Sequence, residues 1–223
     1  MRLFIAEKPS VAKAIVAELG CVTRGDGFIT CKDGSVVTWC FGHLLEQAEP
    51  DAYLPDDVPR TKKGSKVWRF EDLPIYPKND KGVKKQLATI GKLLKKASLV
   101  VHAGDPDREG QLLVDEVLEH FRYTGRVQRF WVSAQDSASI RKGLTNLRDN
   151  ETFDGMRLAA LGRSRADWLL GMNLSRAYTP AQQAQGKKEL IAVGRVQTPT
   201  LALVAKRDVA IRDFKPVPYF VIK

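Results

Sequence analysis

With 223 residues, 43% of them hydrophobic and 28% charged, the composition is that of an ordinary globular chain, which excludes a disordered one and leaves room for one large domain or two small ones. Lysine and arginine total 36 against 26 acidic residues, a formal net charge of +10. That excess makes a polyanion the expected large partner, with solubility alone as the plainer alternative.

Cys21, Cys31 and Cys40 form no C-x-x-C pair, and their odd number argues against a disulfide framework, so reduced thiols in the cytoplasm are expected. Glu7, Lys8 and Lys13 interrupt the first twenty residues, which rules out a signal peptide there. No stretch approaches the roughly 18 apolar residues of a membrane span, so no membrane partner is expected.

Arg2-Leu3-Phe4-Ile5-Ala6 reads as a short strand. After Glu7-Lys8-Pro9-Ser10, the residues Val11, Ile15, Val16 and Leu19 mark an amphipathic helix, with Ser10 as its cap and Gly20 as its stop. Phe28–Cys31 and Val36–Cys40 flank Lys32-Asp33-Gly34-Ser35 and read as a β-hairpin. Gly42-His43-Leu44 closes it; His43 is either a hydrogen-bonding residue of the frame or a phosphate contact. Residues 49–82 are rich in proline, lysine and aspartate. They read as a long loop anchored by Trp68 and Phe70, with Lys62, Lys63, Lys66 and Arg69 around those aromatics. Val83–Ala97 reads as a basic helix whose core face is Leu87, Ile90, Leu93 and Leu94.

Leu99-Val100-Val101 is then a buried strand, and Leu112, Leu113, Val117, Leu118 and Phe121 give the helix that follows. Between them stand Asp105, Asp107 and Glu109. Three acids so close repel one another unless a cation neutralises them. Hard oxygen donors of this kind suit Mg²⁺, which takes one or two protein carboxylates and keeps water or phosphate oxygens. The plainer alternative is an acidic turn that caps the next helix. The context Asp-Pro-Asp-Arg-Glu-Gly, directly after a buried strand, favours the metal. Two strand–loop–helix units predict a parallel sheet, with the acid Glu7 beside the three-acid loop at the edge where such sheets bind ligands.

Val127–Val132 reads as another strand and Ser139–Leu147 as the helix that ends a first domain over 1–152. A helix over about 153–178 follows, ended by Pro180. Its apolar positions are Met156, Leu158, Leu161, Ala166, Leu169 and Leu170, and its polar face carries Arg157, Arg163, Arg165 and Arg176. Gln182–Lys188 reads as a loop, and Gly194-Arg195-Val196-Gln197-Thr198-Pro199 opens another helix. These arginines suit either phosphate contacts or a charged solvent face. The helical domain spans 153–215, and 216–223 reads as the first strand of a domain cut short.

Phe4–Ser10, Gly42-His43-Leu44 and Ala103–Gly110 resemble the Toprim domain of type IA DNA topoisomerases. Arg165–Leu169 through Asn173, Arg176–Thr179 and Val193–Pro199 resemble the helical domain that follows it in that family. The resemblance covers nearly the whole chain, in order. It implies an α/β fold: a Toprim (Rossmann-like) parallel-sheet domain followed by a mainly α-helical domain. It further implies an ATP-independent, Mg²⁺-dependent enzyme of the cytoplasm, associated with the nucleoid. Such an enzyme cleaves single-stranded DNA through a phosphotyrosine, passes a strand and reseals the break.

Carried onto this sequence, Glu7 and Lys8 are catalytic, as general acid and as transition-state cation. Glu7, Asp105, Asp107 and Glu109 hold the metal. His43, Arg108, Arg165, Asp167, Arg176, Arg195 and Gln197 contact single-stranded DNA, and the protein acts as a monomer. The family's Tyr-Pro-Arg-Thr-like nucleophile motif is absent, since the only Tyr-Pro pair, Tyr76-Pro77, continues Lys78-Asn79. An N-terminal fragment lacking the nucleophile, inactive by itself, is therefore expected. The alternatives are a stand-alone single-strand-binding Toprim module and a Toprim nuclease.

Overall fold

The computed structural model describes residues 1–48, 75–186 and 188–221. They form two compact units: residues 1–48 with 75–164, and residues 165–186 with 188–221. In chain order the first unit holds β1 (Arg2–Ala6), α1 (Pro9–Leu19), β2 (Cys21–Gly25), β3 (Phe28–Cys31), β4 (Val36–Trp39), β5 (Leu45–Gln47) and β6 (Ile75–Pro77). It continues with α2 (Lys81–Leu94), β7 (Leu99–Ala103), α3 (Arg108–His120), β8 (Val127–Arg129), α4 (Ser137–Thr145), β9 (Arg148–Asp149) and a 3-10 turn, Asn150–Phe153. Helix α5 (Asp154–Gln183) runs from the first unit into the second, which also holds α6 (Gln197–Arg212).

The main sheet has the order β2-β3-β4-β1-β7-β8-β9. Its four central strands are parallel, as the two strand–loop–helix units predicted, and antiparallel pairs close both edges. The apolar runs of β1 and β7 are continuous because both faces of the sheet are covered. Successive side chains point to opposite faces. Leu3, Ile5, Val36 and Val100 pack with Leu87 and Ile90 of α2 and Leu113 and Val117 of α3. Phe4, Ala6, Val37, Val101 and Ala103 pack with Val11, Ala12, Ile15 and Val16 of α1 and Ile140 of α4.

Several boundaries differ from the sequence reading. Helix α1 is capped by Lys8 without a side-chain bond, not by Ser10. Pro9 lies in its first turn, where its fixed φ suits the helix and its missing N–H needs no cap. Gly20 does stop α1: its φ is 75° and its N–H reaches the Val16 carbonyl at 2.8 Å. Within the stretch read as a loop, β6 pairs with β5, and α2 already begins at Lys81, capped by the Asp80 side chain. The anchors Trp68 and Phe70, and the cations Lys62, Lys63, Lys66 and Arg69, lie outside the described residues.

Pro180 does not end α5. A proline forfeits one helical hydrogen bond, but its carbonyl still accepts, here from Ala184 at 2.9 Å, and the turn continues. The apolar stripe on α5 is not a core face, for Leu158 and Leu170 are exposed and only Ala160 is buried. Residues 216–221 form no strand. A strand needs a partner for its backbone, none pairs with this segment among the described residues, and Pro216 and Pro218 lack the donor.

Candidate active site

Because β4, β1 and β7 run parallel, their carboxyl ends deliver three loops to one edge of the sheet. Glu7 and Lys8 follow β1, Gly42-His43 follows β4, and the acid loop follows β7. The Glu7 N–H donates to the Ala103 carbonyl (3.3 Å), and the Glu7 carbonyl accepts from the Gly42 N–H (3.4 Å). The Asp105 N–H in turn donates to Glu7 Oε2 at 2.9 Å, so Glu7 does lie beside the acid loop. Lys8 Nζ meets Asp105 Oδ2 at 2.6 Å. The Asp105 carboxylate beside it raises the Lys8 ammonium above its ordinary value, so Lys8 is a fixed cation at neutral pH.

The rest of the acid loop is built onto the start of α3. Asp107 is the cap residue: its Oδ1 accepts from the Gly110 N–H at 2.7 Å. The capping alternative weighed from sequence is thus realised for Asp107. Its other oxygen accepts no hydrogen bond among the described residues, so a capping aspartate remains a candidate metal ligand. Arg108 is exposed at the first helical position. Glu109 stands in the first turn, favourable against the helix dipole, and pairs with Arg163 Nη1 at 3.2 Å. Gly104 and Gly110 close the loop so tightly that a Cβ on Gly104 would fall 2.2 Å from the Gly110 carbonyl oxygen.

Gly42, at φ 75°, turns the chain after β4 and is followed by His43, whose Nδ1 donates to Glu116 Oε2 of α3 at 2.9 Å. The hydrogen bond to Glu116 raises His43 above its ordinary value, against the burial that lowers it. A group whose value is raised on folding adds stability in full below its unfolded value and loses it as pH rises through the folded one. The melting-temperature gap between the parent and His43→Gln is therefore expected to be largest below about pH 6.5, the ordinary histidine value, and to narrow as pH rises above it. A gap that widened instead would show that the pair does not form.

The remaining DNA-contact candidates belong to the second unit. Ser175 and Thr179, one helical turn apart on α5, each bond an extended segment through both of its backbone groups. Ser175 Oγ accepts from the Val193 N–H (2.8 Å) and donates to its carbonyl (3.3 Å). Thr179 Oγ1 does the same with Ile191 (3.1 and 3.4 Å). Four helical residues rise about 6 Å and two extended ones about 6.6 Å, so the two repeats match. This lays out the Gly194-Arg195 entry to α6. Arg195 pairs through Nε and Nη2 with both carboxylate oxygens of Asp167, joining two of the candidates directly. Arg195 and Gln197 are exposed, while Arg165, Asp167 and Arg176 are half-buried.

As a metal site the loop is partial. Among the described residues no three carboxylate, imidazole or thiol side chains converge as a ready ligand cage. The donor set nevertheless suits Mg²⁺, which needs only one or two carboxylates when water and phosphate oxygens complete its shell. The sequence reading passed over Arg129, which is wholly buried beneath the loop. Its signal, a lone arginine ending an apolar strand, is indistinguishable in sequence from a surface charge.

Residues 2–134 match the Toprim domain model and residues 151–223 the DNA topoisomerase model. The chain belongs to the Toprim family, in the type IA DNA topoisomerase arrangement of a Toprim domain followed by the start of a DNA topoisomerase domain. At the level of individual proteins, it is 47% identical to DNA topoisomerase 3 of Haemophilus influenzae, over 100% of this chain and 35% of that protein. It is 48% identical to the Vibrio cholerae protein of the same name, over 99% of this chain and 34% of that one. The chain thus spans about a third of the length of these relatives. Topoisomerase I from Thermotoga maritima shares the fold, with a TM-score of 0.61 and 24% identity over 96% of this chain and 31% of that one. Among the described residues no helix is long and apolar enough to cross a membrane.

Proposed function

We propose that this chain supplies the acid, lysine and metal-binding half of a type IA topoisomerase active site, in a protein that cleaves and reseals single-stranded DNA without ATP. The observation that carries this reading is the cluster of Glu7, Lys8 and Asp105, joined by hydrogen bonds of 2.9 and 2.6 Å at the carboxyl edge of a parallel sheet. The nucleophilic tyrosine comes from outside these 223 residues. The protein acts as a monomer in the cytoplasm, associated with the nucleoid.

In this mechanism Glu7 protonates the departing 3′ oxygen and takes the proton back on resealing. Lys8 stabilises negative charge on the phosphoryl group in the transition state. Asp105 and Asp107, with Glu109 and Glu7 nearby, would hold Mg²⁺, which would supply positive charge against the acids and the phosphodiester. His43 and Arg108 contact phosphates at the sheet edge, while Arg165, Asp167, Arg176, Arg195 and Gln197 line the path of the strand in the second unit. Phosphate contacts of this kind position the strand without reading its sequence.

Fluorescence anisotropy of a labelled single strand, with and without Mg²⁺, tests the reading on this chain and on Asp105→Ala/Asp107→Ala. The expected result is salt-sensitive binding that prefers single strands, with a Mg²⁺ response that the double variant loses. Equal affinity for duplex, or a Mg²⁺ response that survives the double substitution, would overturn it.

A further inference from the structure

Arg129 ends β8, and its side chain is 0% exposed. A guanidinium out of water is costly unless its donors are met. Here all three nitrogens find acceptors. Nε donates to Gln111 Oε1 (2.7 Å). Nη1 faces the carbonyls of Gly104 (2.8 Å), Phe130 (2.7 Å) and His102 (3.2 Å). Nη2 donates to the Asp105 carbonyl at 2.6 Å. The guanidinium also packs over the ring of Trp131, 4.8 Å from its centroid. Three of its four backbone acceptors therefore lie in residues 102–105, where β7 becomes the acid loop.

The shell behind Arg129 is equally specific. Gln111 Nε2 donates to Asp115 Oδ2 (2.7 Å) and Asn150 Oδ1 (2.9 Å), and Asn150 Nδ2 donates to Asp115 Oδ1 (3.0 Å). His102 Nδ1 accepts from the Gly104 N–H (3.2 Å), and its Nε2 donates to the Gln111 carbonyl (3.0 Å). Burial holds His102 well below its ordinary value and so neutral. Burial also pushes Arg129 down to about 10, while Asp115, Asp105, Asp107 and Glu7 favour its charged form, so it remains a cation at neutral pH. No step of the proposed chemistry uses these side chains. For filling space alone, an apolar side chain of similar volume serves as well or better than a buried charge.

We infer that Arg129 is a positioning residue: its buried guanidinium holds the backbone of residues 102–105, from which the acid loop leaves β7, in its observed conformation and keeps a permanent positive charge beneath the loop's carboxylates. The bond from the Asp105 N–H to Glu7 and the Asp107 cap fix the loop from its outer side; the backbone bonds to Arg129 fix its start from beneath. The inference rests on the proposed function for its metal readout, and stands without it for the loop.

Two measurements on Arg129→Lys test it, since lysine keeps the charge and loses the fork. Hydrogen exchange by mass spectrometry should quicken in peptides covering 102–110 and stay as in the parent elsewhere. Mn²⁺, counted by its free-ion paramagnetic resonance signal as a probe for Mg²⁺, should bind about 10–100-fold more weakly, the usual effect of disturbing groups behind metal ligands. Ile90→Val, buried in α2 within the core cluster that includes none of residues 102–110, should lower the melting temperature slightly and change neither readout. If Arg129→Lys does not fold, Gln111→Leu, which frees Nε and leaves the cation in place, should show both changes in smaller degree. Exchange in 102–110 that matches the parent, or that rises uniformly along the chain with Mn²⁺ binding intact, overturns the inference. A parent that binds no Mn²⁺ sinks the metal reading alone, and the exchange result then decides the role of Arg129.

Discussion

Glu7→Gln is expected to slow DNA cleavage by about 10²–10⁴-fold, the usual worth of a positioned general acid, while leaving single-strand binding unchanged. The assay needs a nucleophile. It is best made in a chimera in which this chain replaces the matching 35% of the Haemophilus influenzae DNA topoisomerase 3. Glutamine preserves the shape of the side chain, and its amide oxygen can still accept from the Asp105 N–H that now bonds Glu7 at 2.9 Å. The loop keeps its geometry; the carboxyl proton is lost together with one negative charge beside the proposed metal, so the cleavage assay is run at saturating Mg²⁺. A selective loss of cleavage at unchanged affinity therefore assigns the acid. Equal cleavage by both chimeras would remove Glu7 from the chemistry, and an inactive parent chimera would count against the topoisomerase reading itself.

Gly110→Ala should destabilise the first unit by about 1–3 kcal/mol, the usual cost of overpacking. For a chain of this length that lowers the melting temperature by roughly 2–4 °C per kcal/mol. The added Cβ would lie 2.5 Å from the Asp105 carbonyl oxygen, 2.6 Å from its nitrogen and 2.8 Å from Glu7 Oε2. Two of those atoms are backbone, so relief requires the acid loop to move away from α3. That movement opposes both the Asp105–Glu7 bond and the Asp107 cap. The gain of about 1 kcal/mol in helix propensity offsets only part of the cost. Gly162→Ala is the control: it lies in α5 with nothing within 4 Å of its Cβ, and should be neutral or stabilising. Scanning calorimetry of the two variants separates the cases. A midpoint for Gly110→Ala at or above the parent's would show that the loop is not held against the helix as described.

The two glycines of the acid motif illustrate how a sequence signal and its cause can differ. Read along the chain, Gly104 and Gly110 frame three acids and add context. In the structure each marks a backbone approach that admits no Cβ. The cap shows the same division. Asp107 was read as either a metal ligand or a helix cap, and its Oδ1 is the cap of α3 while its second oxygen stays available. Strands β2, β6 and β9 lie outside the sequence reading because β6 and β9 have three and two residues and β2, though five long, is exposed throughout, so none carries a buried alternating pattern. Their conformation comes from pairing with a neighbour, which no local signal records.

What the sequence determined by itself is everything set by neighbours along the chain. The buried runs of β1 and β7, the Phe28–Trp39 hairpin, the core stripe of α2, the Gly20 stop and the strand–acid loop–helix unit were all legible from periodicity and turn chemistry. Those same residues carried the family resemblance. The tertiary structure alone decided what depends on groups far apart in sequence. It joined Lys8 to Asp105 across 97 positions, His43 to Glu116 across 73, and placed Arg129 under a loop 24 residues earlier. It also decided that Leu158 and Leu170 of α5 are exposed and that Pro180 lies within that helix. The physical reason is that hydrogen bonds and burial are properties of proximity. A sequence specifies proximity directly only within a turn of helix or a hairpin, and beyond that only through the packing of the whole.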